Sequence, residues 1–157
     1  MIKRITNPDE FAKLCDDIDN IYSSGERANQ EEDEGHAFDL RHKKEIIKNS
    51  FGNSQILAFD VFVWGNEENG KYDAIGIFIK DKNVKFGVDI LTEFLWLSSN
   101  PKVGFKILKE ATKLAREKNI KYMKISTSEK NPNSPRYERL YKKLGFVKDS
   151  TIFIGKL

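Results

Sequence analysis

The alternation of hydrophobic and polar positions along this chain predicts six strands and four helices. Strands are indicated where apolar residues alternate or run together between turn residues, and helices where they recur at every third and fourth position. In chain order the predicted elements are a strand Ile2–Thr6, helices Pro8–Ser23 and Phe38–Ser50, strands Gln55–Trp64, Tyr72–Lys80 and Phe86–Leu97, a helix Val103–Lys118, a strand Ile120–Thr127, a helix from Ser134 and a strand Phe146–Gly155. This order predicts an α/β (α+β) fold in which an antiparallel meander precedes a parallel crossover.

Three of these helices have local patterns that predict which side faces the core. The first pairs Asn7 with Glu10 in a capping-box pattern, and Gly145 follows the last helix as a C′ glycine. The predicted inner faces are Phe11, Leu14, Ile18 and Tyr22 in the first helix, Gly104, Ile107, Leu108, Ala111 and Ala115 in the third, and Tyr137, Leu140, Tyr141 and Leu144 in the last. Ser134 and Pro135 are interpreted as N-cap and first helical residue of the last helix.

The turn Ser98–Gly104 joins a buried-type strand to an amphipathic helix, and it is the candidate anion site of the chain. We expect its backbone N–H groups to be free for a phosphate, which the helix dipole would also favour. The alternative is an ordinary helix start, because many helices follow strands without binding an anion.

Length and composition favour one soluble domain. The 157 residues suit a single domain over 1–157 with one substantial core, and no signal peptide or long apolar run is present, which predicts a cytoplasmic protein. The single cysteine, Cys15, is interpreted as core filler, and two histidines are too few for a zinc site, so no metal is expected.

Charge is distributed unevenly. Residues 1–97 carry 12 Lys and Arg against 19 Asp and Glu, whereas residues 98–157 carry 15 against 5. This asymmetry favours a polyanion near the second half, or it reflects solvated surfaces only. Nucleic acid is a minor alternative, because the lysines are expected on several elements rather than in one dense stripe. The acidic run Glu31–Glu34 is interpreted as a disordered loop, or as a surface that attracts a cationic substrate.

Three motifs resemble the GNAT superfamily of acyl-CoA-dependent N-acyltransferases across essentially the whole chain. Leu140-Tyr141-Lys142-Lys143-Leu144-Gly145-Phe146 matches the family's L-Y-x-K-L-G-F, Gly104-Phe105-Lys106-Ile107-Leu108 fits G-x-x-L-L, and Ala74-Ile75-Gly76-Ile77 resembles V-G-x-I. The family's Q/R-x-x-G-x-G/A turn is kept only at Gly104, since Ser99 and Lys102 replace its first residue and first glycine. Diverged members, including those carried by phages, show the same change.

The resemblance implies a mixed, mostly antiparallel sheet with helices on both faces and a gap where the fourth and fifth strands splay apart. It implies that acetyl-CoA or another acyl-CoA binds in this gap, with pantetheine along the fourth strand and pyrophosphate on the turn. The implied cofactor-binding residues are Leu95, Trp96, Leu97, Ser99, Asn100, Lys102, Val103, Gly104, Phe105, Lys106, Asn131 and Ser134. Ser134 is also interpreted as a helix cap, and Trp64 and Trp96 as packing residues rather than a substrate platform.

Two residues are the catalytic candidates. Glu93 matches a strand glutamate that serves some relatives as base, and a carboxylate inside a strand is costly unless it is paired or used. Its alternative is a salt bridge, and Asp89 on the same face is the weaker candidate. Tyr141 aligns with the tyrosine that protonates the departing thiolate in relatives, although its spacing also suits a core aromatic.

The predicted function is transfer of an acyl group from acyl-CoA to a primary amine of a small molecule or protein. The alternative is an inactive GNAT-fold module that binds a protein partner or nucleic acid. No membrane partner is expected, and pairing through the final strands is a plausible route to a homodimer.

Overall fold

The computed structural model describes residues 1–22, 60–83, 87–98, 100–126 and 134–148. The predicted helix over 38–50, the acidic run over 31–34 and most of the predicted last strand lie outside these residues, as do Ser99 and Asn131. The described elements are β1 (Ile2–Ile5), α1 (Pro8–Tyr22), β2 (Asp60–Glu68), β3 (Lys71–Asn83), β4 (Val88–Ser98), α2 (Pro101–Glu117), β5 (Tyr122–Lys124) and α3 (Ser134–Lys143).

The chain divides into two compact units, 1–125 and 126–157, and each is described by itself. The first holds a five-stranded sheet in the order β1-β2-β3-β4-β5. The first four strands pair antiparallel, and β5 pairs parallel with β4 after the crossover through α2. The predicted meander and parallel crossover are confirmed. That a single domain spans 1–157 stays a prediction.

One face of the sheet packs against α1. The predicted inner residues of that helix are fully buried where described, and Cys15 is buried among them as expected. The cluster on this face comprises Ile5, Phe11, Leu14, Cys15, Ile18, Val63, Tyr72, Ile75, Ile77, Leu95 and Leu97. Each such side chain contributes about 1.5–3 kcal/mol by leaving water, so this layer stabilises the unit.

The opposite face packs against α2. All five predicted inner residues of that helix are buried, together with Leu114. A Cβ on Gly76 would overlap Ile107, so the glycine of the third-strand motif is what allows α2 to approach β3. Trp64 is 4% exposed and meets Phe78 edge to face at 5.7 Å, which confirms its packing role.

A network of charged side chains joins α1 to the sheet. Lys3 Nζ lies 2.7 Å from both Glu10 Oε1 and Glu67 Oε2, and the buried Tyr72 hydroxyl donates to Glu10 at 2.7 Å. Ammonium groups of Lys3 and Lys13 lie 5.5 and 5.4 Å from the centroid of the Tyr72 ring. These contacts tie three strands and the first helix together.

Strand ends differ from the predictions in three places. β2 continues to Glu68, and β3 extends through the expected turn at Lys82 to Asn83, which pairs with Val88. The reversal therefore comes later, where Gly87 has a φ of +65°. β5 is shorter than predicted because it pairs with only three residues of β4.

The second unit contains α3, which ends as predicted. Gly145 has a φ of +87°, its N–H donates to the Lys142 carbonyl, and the Phe146 N–H donates to the Tyr141 carbonyl. These are the two hydrogen bonds of a Schellman motif. The prediction that Leu144 faces inward is wrong, since it is 40% exposed at this end of the helix.

None of the helices in the described part of the chain has both the length and the apolar character needed to cross a membrane.

Candidate active site

β4 is paired very differently along its two edges. Toward β3 it pairs along nearly its whole length, from Val88 to Ser98. Toward β5 the ladder runs only from Ile90 to Thr92. The described ladder with β5 therefore ends at Thr92, although β4 continues to Ser98. We call the place where the two strands part the gap. An extended ligand can add strand-like hydrogen bonds where neighbouring strands part.

A β-bulge lies where the gap begins, at Phe94. Ile77 pairs with Leu95 and Phe78 pairs with Glu93, so Phe94 has no partner in the β3 ladder. Bulges bend a strand and increase its twist, which accounts for the separation of β4 from β5 just after Thr92. Phe94 is 39% exposed. Phe94 begins the apolar run Phe94–Leu97, and nothing in the sequence marks it as the extra position.

The bulge also decides which face each side chain of β4 occupies. Cross-strand partners share a face, so Leu95 and Leu97 join Ile77 and Ile75 in the layer against α1. Glu93, opposite Phe78, lies on the α2 face instead. Strict alternation would have placed Glu93 with the two leucines. Because both leucine side chains are buried in the core, only their backbone groups remain for a ligand.

The two candidate carboxylates of β4 differ in their surroundings. Both lie on the α2 face, as predicted, because their partners Lys82 and Phe78 are four residues apart on β3. Asp89 is on the surface, 3.5 Å from Lys80 Nζ, with a side chain that is 46% exposed. Glu93 is half-buried, is the first residue beyond the β5 ladder and adjoins the bulge. The geometry therefore separates Glu93, at the gap, from Asp89, in a surface ion pair.

The described amides of the turn before α2, those of Lys102, Val103 and Gly104, are not free as the sequence predicted. Asn100 is the N-cap, and its side chain accepts from the Lys102 N–H at 3.0 Å. Its carbonyl accepts from the Val103 and Gly104 N–H groups, both at 3.0 Å. Pro101 has no N–H, so every amide of the first helical turn up to Gly104 is used internally or missing. This expectation was wrong because Asn-Pro is itself a strong cap.

The turn is short, and Gly104 holds it against the strand. β4 ends at Ser98 and α2 begins at Pro101, so two residues connect them. The Ser98 hydroxyl donates to the Asn100 carbonyl at 2.7 Å. A Cβ on Gly104 would lie 3.2 Å from Trp96 Nε1 and 3.3 Å from Ser98 Cβ. The retained glycine thus allows close packing between helix and strand, and Trp96 is half-buried there as a packing residue.

Positive charge remains available at this end of α2. Lys102 and Lys106 are exposed, and the first turn of the helix contains no acidic residue. The partial positive charge of the helix N-terminus adds to that of the lysines. Val103 and Phe105 are half-buried between them. This surface can attract an anion through side chains even though the amides are occupied.

Tyr141 and Ser134 belong to the second unit. Tyr141 is buried, stacks on Tyr137 with ring centroids 6.3 Å apart, and its hydroxyl lies 3.5 Å from the Ser126 carbonyl oxygen. Ser134 is buried and is the first helical residue of α3 instead of the N-cap that was predicted. Roles for both residues in binding or catalysis stay predictions.

Comparison with known proteins gives matches to solved structures. Searches found no matching family model and no matching curated protein. The chain is similar to an aminoglycoside acetyltransferase from an uncultured soil metagenomic sample, in complex with sisomicin, at 9% identity, covering 100% of this chain and 95% of that one with a TM-score of 0.69. It is similar to a predicted acetyltransferase with acetyl-CoA from Clostridium acetobutylicum, at 15% identity, 100% and 95% coverage and a TM-score of 0.64. A GNAT family acetyltransferase of Staphylococcus aureus subsp. aureus is similar at 13% identity, 100% and 98% coverage and a TM-score of 0.61. These matches identify the fold.

Proposed function

Because the chain has the GNAT fold of these acetyltransferases, we propose that it transfers an acetyl or other acyl group from acyl-CoA to a primary amine by direct attack. The observation that carries the proposal is the gap that begins where the β4–β5 ladder ends at Thr92, with Glu93 as the next residue of β4. The acceptor is the amine of a small molecule or protein.

Two features of the chain fit acyl-CoA, and one requires a local change. Leu95, Trp96 and Leu97 follow the end of the β5 ladder on β4, and strand backbone beside the gap is suited to hydrogen bond to the amide groups of pantetheine. Lys102 and Lys106 can pair with its phosphates. The Asn100 side chain would have to release the Lys102 N–H before that amide could bind a phosphate. Acyl-CoA would supply the activated acyl group as a thioester.

Glu93 is proposed as the proton acceptor. An amine must lose its proton to act as a nucleophile, and a carboxylate within reach, directly or through water, can take it. Position supports Glu93 over Asp89, because Glu93 is half-buried where β4 leaves the β5 ladder, whereas Asp89 is on the surface four residues earlier. Tyr141 is proposed as the group that gives a proton to the departing sulfur, and its hydroxyl is a donor near the Ser126 carbonyl. Ser134 remains a proposed cofactor contact, as do Ser99 and Asn131, which lie outside the described residues.

The experiment that tests the proposal is calorimetric titration of the full chain with acetyl-CoA and, separately, with CoA. We expect micromolar binding of acetyl-CoA, followed by amine-dependent thiol release when candidate amines are added. Glu93→Gln should then lower the transfer rate by about 10²–10⁴-fold and change the pH profile, while acetyl-CoA affinity stays near that of the wild type. Asp89→Asn is the matched control and should retain the wild-type rate. Equal losses in both variants would remove Glu93 from the mechanism.

A second candidate function is a GNAT-fold binding module without turnover. The observation that favours it is the self-capped turn, in which Asn100 occupies the amides of Lys102, Val103 and Gly104. Absence of acetyl-CoA binding at millimolar concentration would support this candidate. Pairing of two copies through the final strands stays a proposal for either function, and its test is the mass of the protein in solution by sedimentation.

A further inference from the structure

The outer face of α2 carries a stripe of basic residues along its whole length. The stripe comprises Lys102, Lys106, Lys109, Lys113 and Arg116, all of them exposed. The basic residues of the second half are spread over several elements, as expected, and five of the fifteen lie on this helix. We call these five the basic stripe.

The spacing of the basic stripe makes it narrow and straight. Successive members are four, three, four and three residues apart, and a helix turns about 100° per residue, so all five lie within an arc of about 80°. The arc is centred opposite Ala111, in the middle of the buried face. At about 1.5 Å rise per residue the stripe is about 21 Å long, with a cation every 4.5–6 Å.

This arrangement weakens the helix on its own. Like charges four residues apart destabilise a helix by about 0.2–0.5 kcal/mol per pair, and the stripe contains two such pairs, Lys102 with Lys106 and Lys109 with Lys113. Within the described residues the only ion pair of the stripe joins Lys113 Nζ to Glu117 Oε1 at 4.0 Å, between strongly exposed side chains. Pairs of that kind contribute little. Lys109 Nζ lies 4.9 Å from the centroid of the Phe105 ring, and the residue is exposed.

We propose that the basic stripe docks on the phosphate backbone of a nucleic-acid duplex. A duplex presents regularly spaced phosphates along each backbone strand, and over about 21 Å such a strand matches an extended row of cations better than a compact acidic patch on a protein would. A membrane is a poorer match, because the apolar face that a membrane-binding helix needs is buried against the sheet here. The side chains of the stripe contact phosphates and not base edges, so binding is independent of sequence. The proposal does not rest on acyl transfer.

The test uses the full chain and a fluorescently labelled 20-base-pair DNA duplex, with binding followed by anisotropy at 50–200 mM salt. Each neutralised phosphate contributes about −0.9 to the slope of log affinity against log salt, so five contacts predict a slope of about −4.5 and a loss of about 500-fold over this range. The triple variant Lys109→Gln, Lys113→Gln, Arg116→Gln should reduce the slope to about −1.8. Lys102 and Lys106 are left intact because they are also proposed to contact the cofactor.

The matched control removes the same charge elsewhere. Lys71→Gln, Lys82→Gln, Lys121→Gln changes three exposed lysines outside α2 and should keep the wild-type slope. Circular dichroism should show both triple variants folded. An equal loss in the control would attribute binding to net charge and overturn the proposal, as would no binding by the wild type at 50 mM salt. Binding to phosphatidylserine vesicles or to a polyglutamate peptide as tightly as to the duplex would also overturn it.

Discussion

The N-termini of α1 and α2 have the same kind of cap, an asparagine followed by proline, but their first turns carry opposite charges. Asn7 and Asn100 each cap a helix whose first residue is proline. Each asparagine side chain accepts a hydrogen bond from the N–H of the residue after that proline, Asp9 at 2.8 Å and Lys102 at 3.0 Å. In α1 the first turn then contributes Asp9 and Glu10, whereas α2 contributes no acid.

This difference teaches which helix end is completed by the protein itself. Acidic side chains near a helix N-terminus stabilise it by about 0.3–1 kcal/mol, and α1 has this stabilisation built in. Glu10 is further fixed by Lys3 and Tyr72. At α2 a lysine occupies the corresponding position and opposes the helix dipole. That end is left to gain stability from an anion supplied from outside, as the proposed function requires.

The largest effect on stability is expected at the N-terminus of α1, where Glu10 is held by Lys3 and Tyr72. Tyr72→Phe removes a hydrogen bond to the ionised Glu10 and should lower the free energy of unfolding by about 1.5–3 kcal/mol, measured by urea denaturation. Tyr122→Phe is the matched control, since Tyr122 is 57% exposed, and should change stability by less than about 0.5 kcal/mol. A similar loss in both variants would show that the network does not secure α1.

The pH dependence of stability should report the same network. Burial and the hydrogen bond to Glu10 raise the pKa of Tyr72 to about 12 from an ordinary value of 10.0, and hydrogen bonds to Glu10 and Glu67 raise the pKa of Lys3. A raised pKa contributes stability that is complete below the unfolded-state value and is lost as pH rises through the folded-state value. Unfolding followed by fluorescence should therefore show stability falling between pH 10 and about pH 12. The fall should be smaller in Tyr72→Phe, and an unchanged fall would assign it elsewhere.

At acid pH the pKa shifts of Glu10 and Glu67 have the opposite sign to those of Tyr72 and Lys3. Hydrogen bonding to Lys3 lowers the pKa of both Glu10 and Glu67. Their contribution is therefore present above the ordinary glutamate pKa and is lost as pH falls through the lower, folded-state values.

Removing the two caps should separate their roles. Asn7→Ala and Asn100→Ala should each lower the free energy of unfolding by about 1 kcal/mol, because each leaves a helix amide without its acceptor. Only Asn100→Ala should change acetyl-CoA affinity, and the change should be an increase, since the Lys102 N–H becomes free for a phosphate. Calorimetry checks this. Weaker binding by Asn100→Ala would mean that the cap itself contacts the ligand.

The smallest effect on stability is expected when the charges are exchanged. Lys102→Glu should stabilise the protein by about 0.3–1 kcal/mol through the helix dipole, and Asp9→Lys should destabilise it by a similar amount. Acetyl-CoA affinity should fall in Lys102→Glu and stay constant in Asp9→Lys. Paired melting and titration experiments measure both quantities, and a loss of affinity in both variants would attribute it to general electrostatics.

Local signals in the sequence were sufficient for much of this fold. The apolar faces of α1 and α2 follow from residue spacing, and Gly145 predicted the end of α3, because these features depend on neighbours within a few residues. The Asn-Pro cap of α2 was equally local. It was interpreted correctly at residues 7 and 8 and overlooked at residues 100 and 101, where a phosphate site was expected instead.

The geometry of the gap could not be obtained in this way. The extra residue in β4 is defined only by its partners on β3, and Phe94 is as apolar as a regular position would be. The short extent of β5 likewise depends on where β4 bends away from it. Both features arise from pairing between distant segments, so no short window of sequence contains them.

The bulge makes the bend of β4 independent of the core pairing. Deleting Phe94 would leave Glu93 opposite Phe78 and Leu95 opposite Ile77, so the neighbouring core side chains would keep their partners while the strand straightened. One extra residue is thus enough to bend the strand without repacking the layer beneath it.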